Sequence, residues 1–184
     1  MVLVANLEGK SAALKPPALA SLFNMNNVHY VAKAVKRSPL GDLLGPEWIS
    51  RHERQWEASS EEFMERSWGV LAALLKGEPE GGGGVKAGLL SRDKKKEALK
   101  AKFRAVNEHL DALHAAQSQW SVPDAELRAE LKRRIRERVV PAYTALVQQH
   151  TQVPFSKNMD KYIRYSPRDL DGRISDLFES RGPG

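Results

Sequence analysis

The chain of 184 residues contains no cysteine. That excludes a disulfide framework, a thiolate nucleophile and any cysteine-based zinc or iron–sulfur site. Aromatic residues make up only 7%. Long apolar runs are missing too: no stretch approaches the roughly 20 apolar residues that a membrane-spanning helix needs, in keeping with a mean hydropathy of −0.50. The first ten residues lack the basic start and long apolar run of a signal peptide. Convincing strand-like alternation and internal repeats are also absent.

Enzyme signatures are equally scarce, and the expectation is a protein without catalysis. Gly81-Gly82-Gly83-Gly84 has the glycines of a phosphate loop, but no Lys-Ser/Thr follows and no strand pattern precedes it. His109 and His114 are five apart, the wrong spacing for a shared helical metal face. Paired acids such as Glu61-Glu62 read as surface helix residues, with no apolar pocket to raise a pKa.

What is present is helix. Pro16 and Pro17 suit a helix start, and Leu19, Leu22, Phe23, Val28, Val31 and Val35 follow as its apolar positions. Ser38-Pro39 breaks it, a short turn Leu40 to Leu44 ends at Gly45, and Pro46 opens a helix to Lys76. Trp48, Ile49, Trp56, Phe63, Val70, Leu71 and Leu74 are its inward candidates. The clearest seam is Leu99, Phe103, Val106, Leu110, Leu113, Gln117 and Trp120, spaced 4, 3, 4, 3, 4, 3. It predicts an amphipathic helix from Arg92 to about Gln119. Asp124 can cap the next helix. There Leu127, Leu131, Ile135, Val139, Ala142 and Leu146 form a second seam, with Pro141 inside. Ser166-Pro167-Arg168-Asp169 is a strong helix start, followed by the buried stripe Leu170, Ile174, Leu177 and Phe178. The fold class is therefore all-α. Two long helices of about 35–40 Å each, joined by short loops, predict an elongated antiparallel bundle. The Gly-rich stretch 81–88 reads as a flexible loop, and residues 1–14 as the remnant of a preceding helix.

Lys plus Arg number 29 against 23 Asp plus Glu, a net charge of +6. The excess is segregated. Arg92 to Arg104 carries +5, Arg128 to Arg138 +4, and Lys157 to Arg173 +2, whereas Glu47 to Arg66 holds six acids against three bases. An anionic partner is permitted by this pattern, and a solvated helix face accounts for any one run equally well. Nucleic acid is not indicated, since no reading motif and no interleaved stacking aromatics accompany the charge.

Several stretches together resemble one family, the 70-kDa subunit of the exocyst, in a plant- or algal-like version. They are Phe23-Asn24-Met25-Asn26-Asn27-Val28-His29-Tyr30; Leu43-Leu44-Gly45 with Trp48; Phe103-Arg104-Ala105-Val106-Asn107; Gln117-Ser118-Gln119-Trp120-Ser121-Val122-Pro123-Asp124; and Pro141-Ala142-Tyr143. The most specific is Val153-Pro154-Phe155-Ser156-Lys157-Asn158-Met159-Asp160-Lys161-Tyr162-Ile163-Arg164-Tyr165, followed by Asp176-Leu177-Phe178. The resemblance implies that residues 1–184 form the C-terminal segment of a helical rod. It implies a subunit that tethers secretory vesicles to the plasma membrane. By the same resemblance, the C-terminal end binds phosphatidylinositol 4,5-bisphosphate through basic residues, at the cytoplasmic inner face of that membrane.

The positions carried over are Lys161 and Arg164, joined by Lys157 in the same motif and by Lys100, Lys102 and Arg104 in the family's second basic stretch. Other exocyst subunits and a Rho-type GTPase are the implied protein partners. A protein-interaction module of the exocyst without direct lipid binding is the alternative. No cofactor is implied. Tyr162, Ile163 and Tyr165 read as packing residues that hold Lys161 and Arg164 outward. Asn26 and Asn27, within an apolar helix, suit the pairing of buried polar groups.

Overall fold

The computed structural model describes residues 9–11, 13–77, 92–151 and 155–179. The Gly-rich stretch 81–88, the apolar start at Val2 and Leu3, and the break at Val153-Pro154 lie outside them. Among the described residues every regular element is an α-helix, and no helix is long and apolar enough to cross a membrane. The helices are α1 (Pro17–Lys36), α2 (Pro39–Lys76), α3 (Arg92–Gln117), α4 (Ala125–Thr151) and α5 (Pro167–Ser175).

Helix α1 starts with proline at its first position, where the missing N–H costs nothing. Its buried stripe is Ala18, Ser21, Leu22, Met25, Val28 and Ala32. Leu22 and Val28 are as expected; Leu19, Phe23, Val31 and Val35 are only half-buried. The stripe runs through small residues, which a count of large apolar side chains passes over. Asn26 Nδ2 donates to the Ser121 carbonyl at 3.2 Å and Asn27 Nδ2 to the Phe23 carbonyl at 2.7 Å. Both amides thus pair with backbone.

Helix α2 is two limbs meeting at Gly45, whose φ of 77° and ψ of 170° break the helical run. A left-handed φ is cheap only for glycine, and Pro46 then opens the long limb as expected. Gly41 is needed for a second reason: a Cβ there would stand 2.8 Å from the Val35 carbonyl oxygen. The long limb buries Phe63, Met64, Trp68, Leu71, Ala72 and Leu75. Val70 is 56% exposed, a correction to its inward assignment. It lies one residue, about 100° of helix rotation, off the stripe.

The seam of α3 is buried at Leu99, Phe103, Val106, Leu110 and Gln117, as spaced. In α4, Leu127, Leu131, Ile135, Val139 and Leu146 are buried, but Tyr143 rather than Ala142 fills the fifth turn. Pro141 is accommodated inside this helix. Helix α5 carries a full capping box: Ser166 Oγ accepts from the Asp169 N–H at 3.1 Å, and the Asp169 carboxylate accepts from the Ser166 N–H at 2.8 Å.

The chain divides into two compact units. One comprises Met1–Trp68, Trp120–Leu131 and Phe178–Gly184; the other comprises Gly69–Gln119 and Lys132–Leu177. In the first, Phe63 makes edge contacts with Trp120 and with Phe178. Phe178 holds a φ of 61° and accepts at its carbonyl from the Val122 N–H at 3.2 Å. Asp124 organises the same unit. Its Oδ1 accepts from the Leu127 N–H at 3.0 Å, the capping bond expected from sequence. Its Oδ2 accepts from Lys33 Nζ at 2.5 Å, and His29 Nε2 lies 3.6 Å from its Oδ1. The Lys33 ammonium and the helix N–H together lower the Asp124 carboxyl to about 2.

Two outcomes follow from that depressed pKa. Asp124→Ala, read by urea unfolding, is expected to cost about 1–2 kcal/mol at pH 7, the usual loss for a helix cap. The contribution is complete above the carboxyl's ordinary value near 3.8 and is lost as pH falls toward about 2. A pH series on the Ala variant therefore loses less stability between pH 4 and 2 than the wild type does.

Candidate functional site

The second unit holds the basic motif. Phe155 is buried and stacks on Phe103 of α3 with ring centroids 5.4 Å apart. The ring of Tyr162 packs edge-on against Phe155 at 5.7 Å, and its side chain is buried. Between them the chain makes one tight turn, in which the Tyr162 and Ile163 N–H groups both donate to the Met159 carbonyl at 2.9 Å. Two side chains hold the exit of that turn. Asn107 Nδ2 donates to the Tyr162 carbonyl at 2.8 Å, and the Tyr143 hydroxyl donates to the Tyr165 carbonyl at 2.6 Å. Burial raises the Tyr143 hydroxyl to about 12. The aromatic residues thus pack as expected, with Tyr162 buried and Ile163 and Tyr165 half-buried.

The six candidate residues sort into three groups. Lys157 and Lys161 are exposed, and neither makes a hydrogen bond or ion pair among the described residues. Lys100 and Arg104, one helical turn apart on α3, flank the same turn. Lys100 Nζ lies 6.0 Å and Arg104 Cζ 5.4 Å from the Tyr162 ring centroid, and Arg104 Nη2 lies 3.4 Å from the Tyr162 hydroxyl. Lys100 also pairs with Glu97 at 2.6 Å, which raises its pKa. Lys161 precedes Tyr162 directly in the chain, and Lys100 and Arg104 border the Tyr162 ring from α3.

Lys102 does not join them. It stands about 200° around the helix from both Lys100 and Arg104. Its ammonium donates to the Leu75 and Gly77 carbonyls at the end of α2, beside a cavity of about 280 Å³ bordered by Ala142, Leu146 and His150. A lysine there satisfies helix-end acceptors.

Arg164 is not held clear either. Its Nη1 donates to Asp111 Oδ2 at 2.8 Å, and its guanidinium packs over the Tyr165 ring at 5.4 Å. Arg164 is exposed as expected, but it is ion-paired with Asp111.

The basic run of α4 is consumed internally. Arg128 donates to the Val122 carbonyl at 2.8 Å and pairs with Glu179 at 3.5 Å. Lys132 is buried and donates to the Ser175 carbonyl at 2.6 Å. Arg133 pairs with Glu137, and Arg136 with Asp171 at 2.6 Å.

Three residues that shape the site were not among the candidate site residues read from sequence: Asp111, Asn107, quoted only within a family motif, and Arg173, counted only within a basic run. Asn107 carried a signal, a polar amide next to a buried seam position. Asp111 and Arg173 carried none, since each sits at an ordinary surface position of its helix.

With this geometry in view, the comparisons with known proteins are specific. The family model for the C-terminal domain of the Exo70 exocyst complex subunit matches residues 1–176. The chain belongs to this family, the one its motifs resemble. It is 38% identical over 179 residues to Exocyst complex component EXO70A1 of Arabidopsis thaliana, covering 96% of this chain and 28% of the relative. It is 31% identical over 179 residues to human Exocyst complex component 7, covering 95% and 24%. A solved structure of Exo70 from S. cerevisiae matches with a TM-score of 0.69 and 29% identity, over 87% of this chain and 28% of that one. The chain thus spans about a quarter of the length of these relatives.

Asn107→Ala tests the anchoring of the turn. It leaves the Tyr162 carbonyl without its donor, and the expected cost is about 1–3 kcal/mol in urea unfolding. Amide exchange should accelerate in residues 155–165 and stay unchanged in α1.

Proposed function

We propose that the chain is the membrane-facing part of an exocyst subunit that tethers secretory vesicles to the plasma membrane. In this reading it binds phosphatidylinositol 4,5-bisphosphate at the cytoplasmic face, through Lys157 and Lys161 with Lys100 and Arg104 beside them. The observation that carries it is that Lys157 and Lys161, before and within a turn pinned by Tyr162, have no partner among the described residues. Their backbone is fixed in place by packing, so little order has to be created on binding. Basic residues near an anionic leaflet contribute on the order of 1 kcal/mol each, screened by salt. Such contacts make a peripheral anchor that other exocyst subunits reinforce.

A second reading is a protein-interaction module that docks another exocyst subunit or a Rho-type GTPase without direct lipid binding. It is favoured by Leu40, Leu43 and Leu44, exposed by 53%, 80% and 42% on the short first limb of α2, where an apolar cluster suits a protein partner.

Liposome co-sedimentation separates the two. Vesicles containing phosphatidylinositol 4,5-bisphosphate should retain the wild-type chain, less so at high salt. Lys157→Glu/Lys161→Glu should weaken retention by about tenfold or more, since two attractive charges become repulsive. This pair is preferable to a reversal at Arg164, which would set two carboxylates against each other at Asp111. No lipid-dependent retention of a folded wild type would overturn the lipid reading and leave the protein-docking one.

A further inference from the structure

Asp111 of α3 sits where two guanidinium groups meet. Its Oδ2 accepts from Arg164 Nη1 at 2.8 Å, and its Oδ1 accepts from Arg173 Nη2 at 3.1 Å and from the Tyr165 hydroxyl. Both guanidiniums pack over the Tyr165 ring, with Cζ 5.4 Å and 4.6 Å from its centroid. The cluster is open to solvent: the side chains of Arg164, Asp111 and Arg173 are 49%, 38% and 26% exposed. Burial would raise the Asp111 carboxyl, but the Tyr165 hydrogen bond and the two arginines outweigh it and hold it below its ordinary value.

The charges do not balance. One carboxylate faces two arginines. Asp169 is held in the α5 capping box and Asp171 on Arg136, while Asp176 makes no ion pair with either arginine among the described residues and acts on the neighbouring His114. His114 beside the cluster is lowered by burial and then by Arg173, against the opposing pull of Asp176 and Asp111. Two forked donors and a phenol converging on a single anion suit a phosphate monoester. It brings about −1.5 to −2 charge and three acceptor oxygens, and arginine binds it with paired hydrogen bonds. The turn itself does not rest on Asp111. The Tyr162 and Tyr165 carbonyls are held by Asn107 and Tyr143, so the carboxylate can release its arginines with the backbone still in place.

We infer that Arg164 and Arg173 are two arms of a phosphate clasp whose resting occupant is the Asp111 carboxylate. Asp111 is an internal competitor that a phosphomonoester must displace. A headgroup bearing phosphomonoesters displaces it; a singly charged headgroup does not. This inference rests on the lipid-binding reading above and adds to it a regulating residue, Asp111, and a ligand residue, Arg173. The shared chemistry is a phosphomonoester, on a lipid headgroup or on a free inositol phosphate.

The test uses the full 184-residue chain. Binding is measured to phosphatidylcholine vesicles carrying phosphatidylinositol 4,5-bisphosphate, to charge-matched vesicles carrying phosphatidylserine, and by calorimetry to soluble inositol 1,4,5-trisphosphate. Asp111→Asn should tighten binding to the bisphosphate vesicles about three- to fivefold, the release of two exposed ion pairs, and leave the phosphatidylserine arm nearly unchanged. Arg173→Gln in that background should abolish the gain. A gain confined to the soluble trisphosphate supports the clasp with a free phosphate as its ligand. Equal or weaker binding by a folded Asp111→Asn, or a gain that survives Arg173→Gln, overturns the inference. Should Asp111→Asn lower the melting temperature by more than about 10 °C, Arg173→Gln alone decides: about threefold weaker binding supports the clasp and no change overturns it. The Lys157/Lys161 reversal keeps the two readings apart. Wild-type binding lost on that reversal but indifferent to Asp111 and Arg173 overturns the clasp alone. Binding by Asp111→Asn and not by wild type keeps the clasp and overturns the lysine-based anchor. No binding by either overturns both.

Discussion

The geometry of the basic motif depends on one buried contact. The Tyr162 ring packs into an apolar site against Phe155, and this carries the Tyr162 carbonyl out of water. A buried carbonyl without a donor is costly, and Asn107 Nδ2 supplies the donor at 2.8 Å. Residues 155–165 form no regular helix, and that pair joins the Phe155–Phe103 stack and the Tyr143–Tyr165 bond in defining them. With it, the lysines of the turn are displayed from a fixed backbone. Arg104 and Lys100 then gain from the face of the same ring, an attraction of the cation–π kind.

Charge is allotted by position more than by number. The helix α4 run is among the most basic segments of the chain, yet it is spent on carbonyls and carboxylates of its own unit. Lys132 and Arg128 hold the Ser175 and Val122 carbonyls, which would otherwise be orphaned, and Arg136 is paired with Asp171. Lys102 does the same at the end of α2. Lys157 and Lys161 make no such bond among the described residues, as is true of exposed cations elsewhere, Lys95 among them. A protein built this way is basic overall without presenting a uniformly basic surface.

The first unit is organised differently. There Asp124 serves as a helix cap and as the counter-charge of Lys33, while Asn26 takes the Ser121 carbonyl. Two of the motifs that mark the family, one on α1 and one before α4, are thus halves of a single docking arrangement. Their occurrence together is a packing requirement, whereas the exposed Leu40, Leu43 and Leu44 lie outside the buried core of the described residues.

The helices, their order and most of their buried faces were legible in the sequence. Apolar spacing of three and four, proline at helix starts, Asp124 and the Ser166–Asp169 box are local signals that need no knowledge of distant neighbours. The family was legible as well, from ordered motifs. Tertiary structure alone decided which cations are available. Lys102 and Arg164 look as free in the sequence as Lys157 and Lys161. Their partners, the Gly77 carbonyl and Asp111, lie 25 and 53 residues away, and an ion pair between distant segments leaves no periodic trace. Val70 was misplaced for a related reason: a stripe is set by what packs on it, and one residue of rotation separates core from solvent.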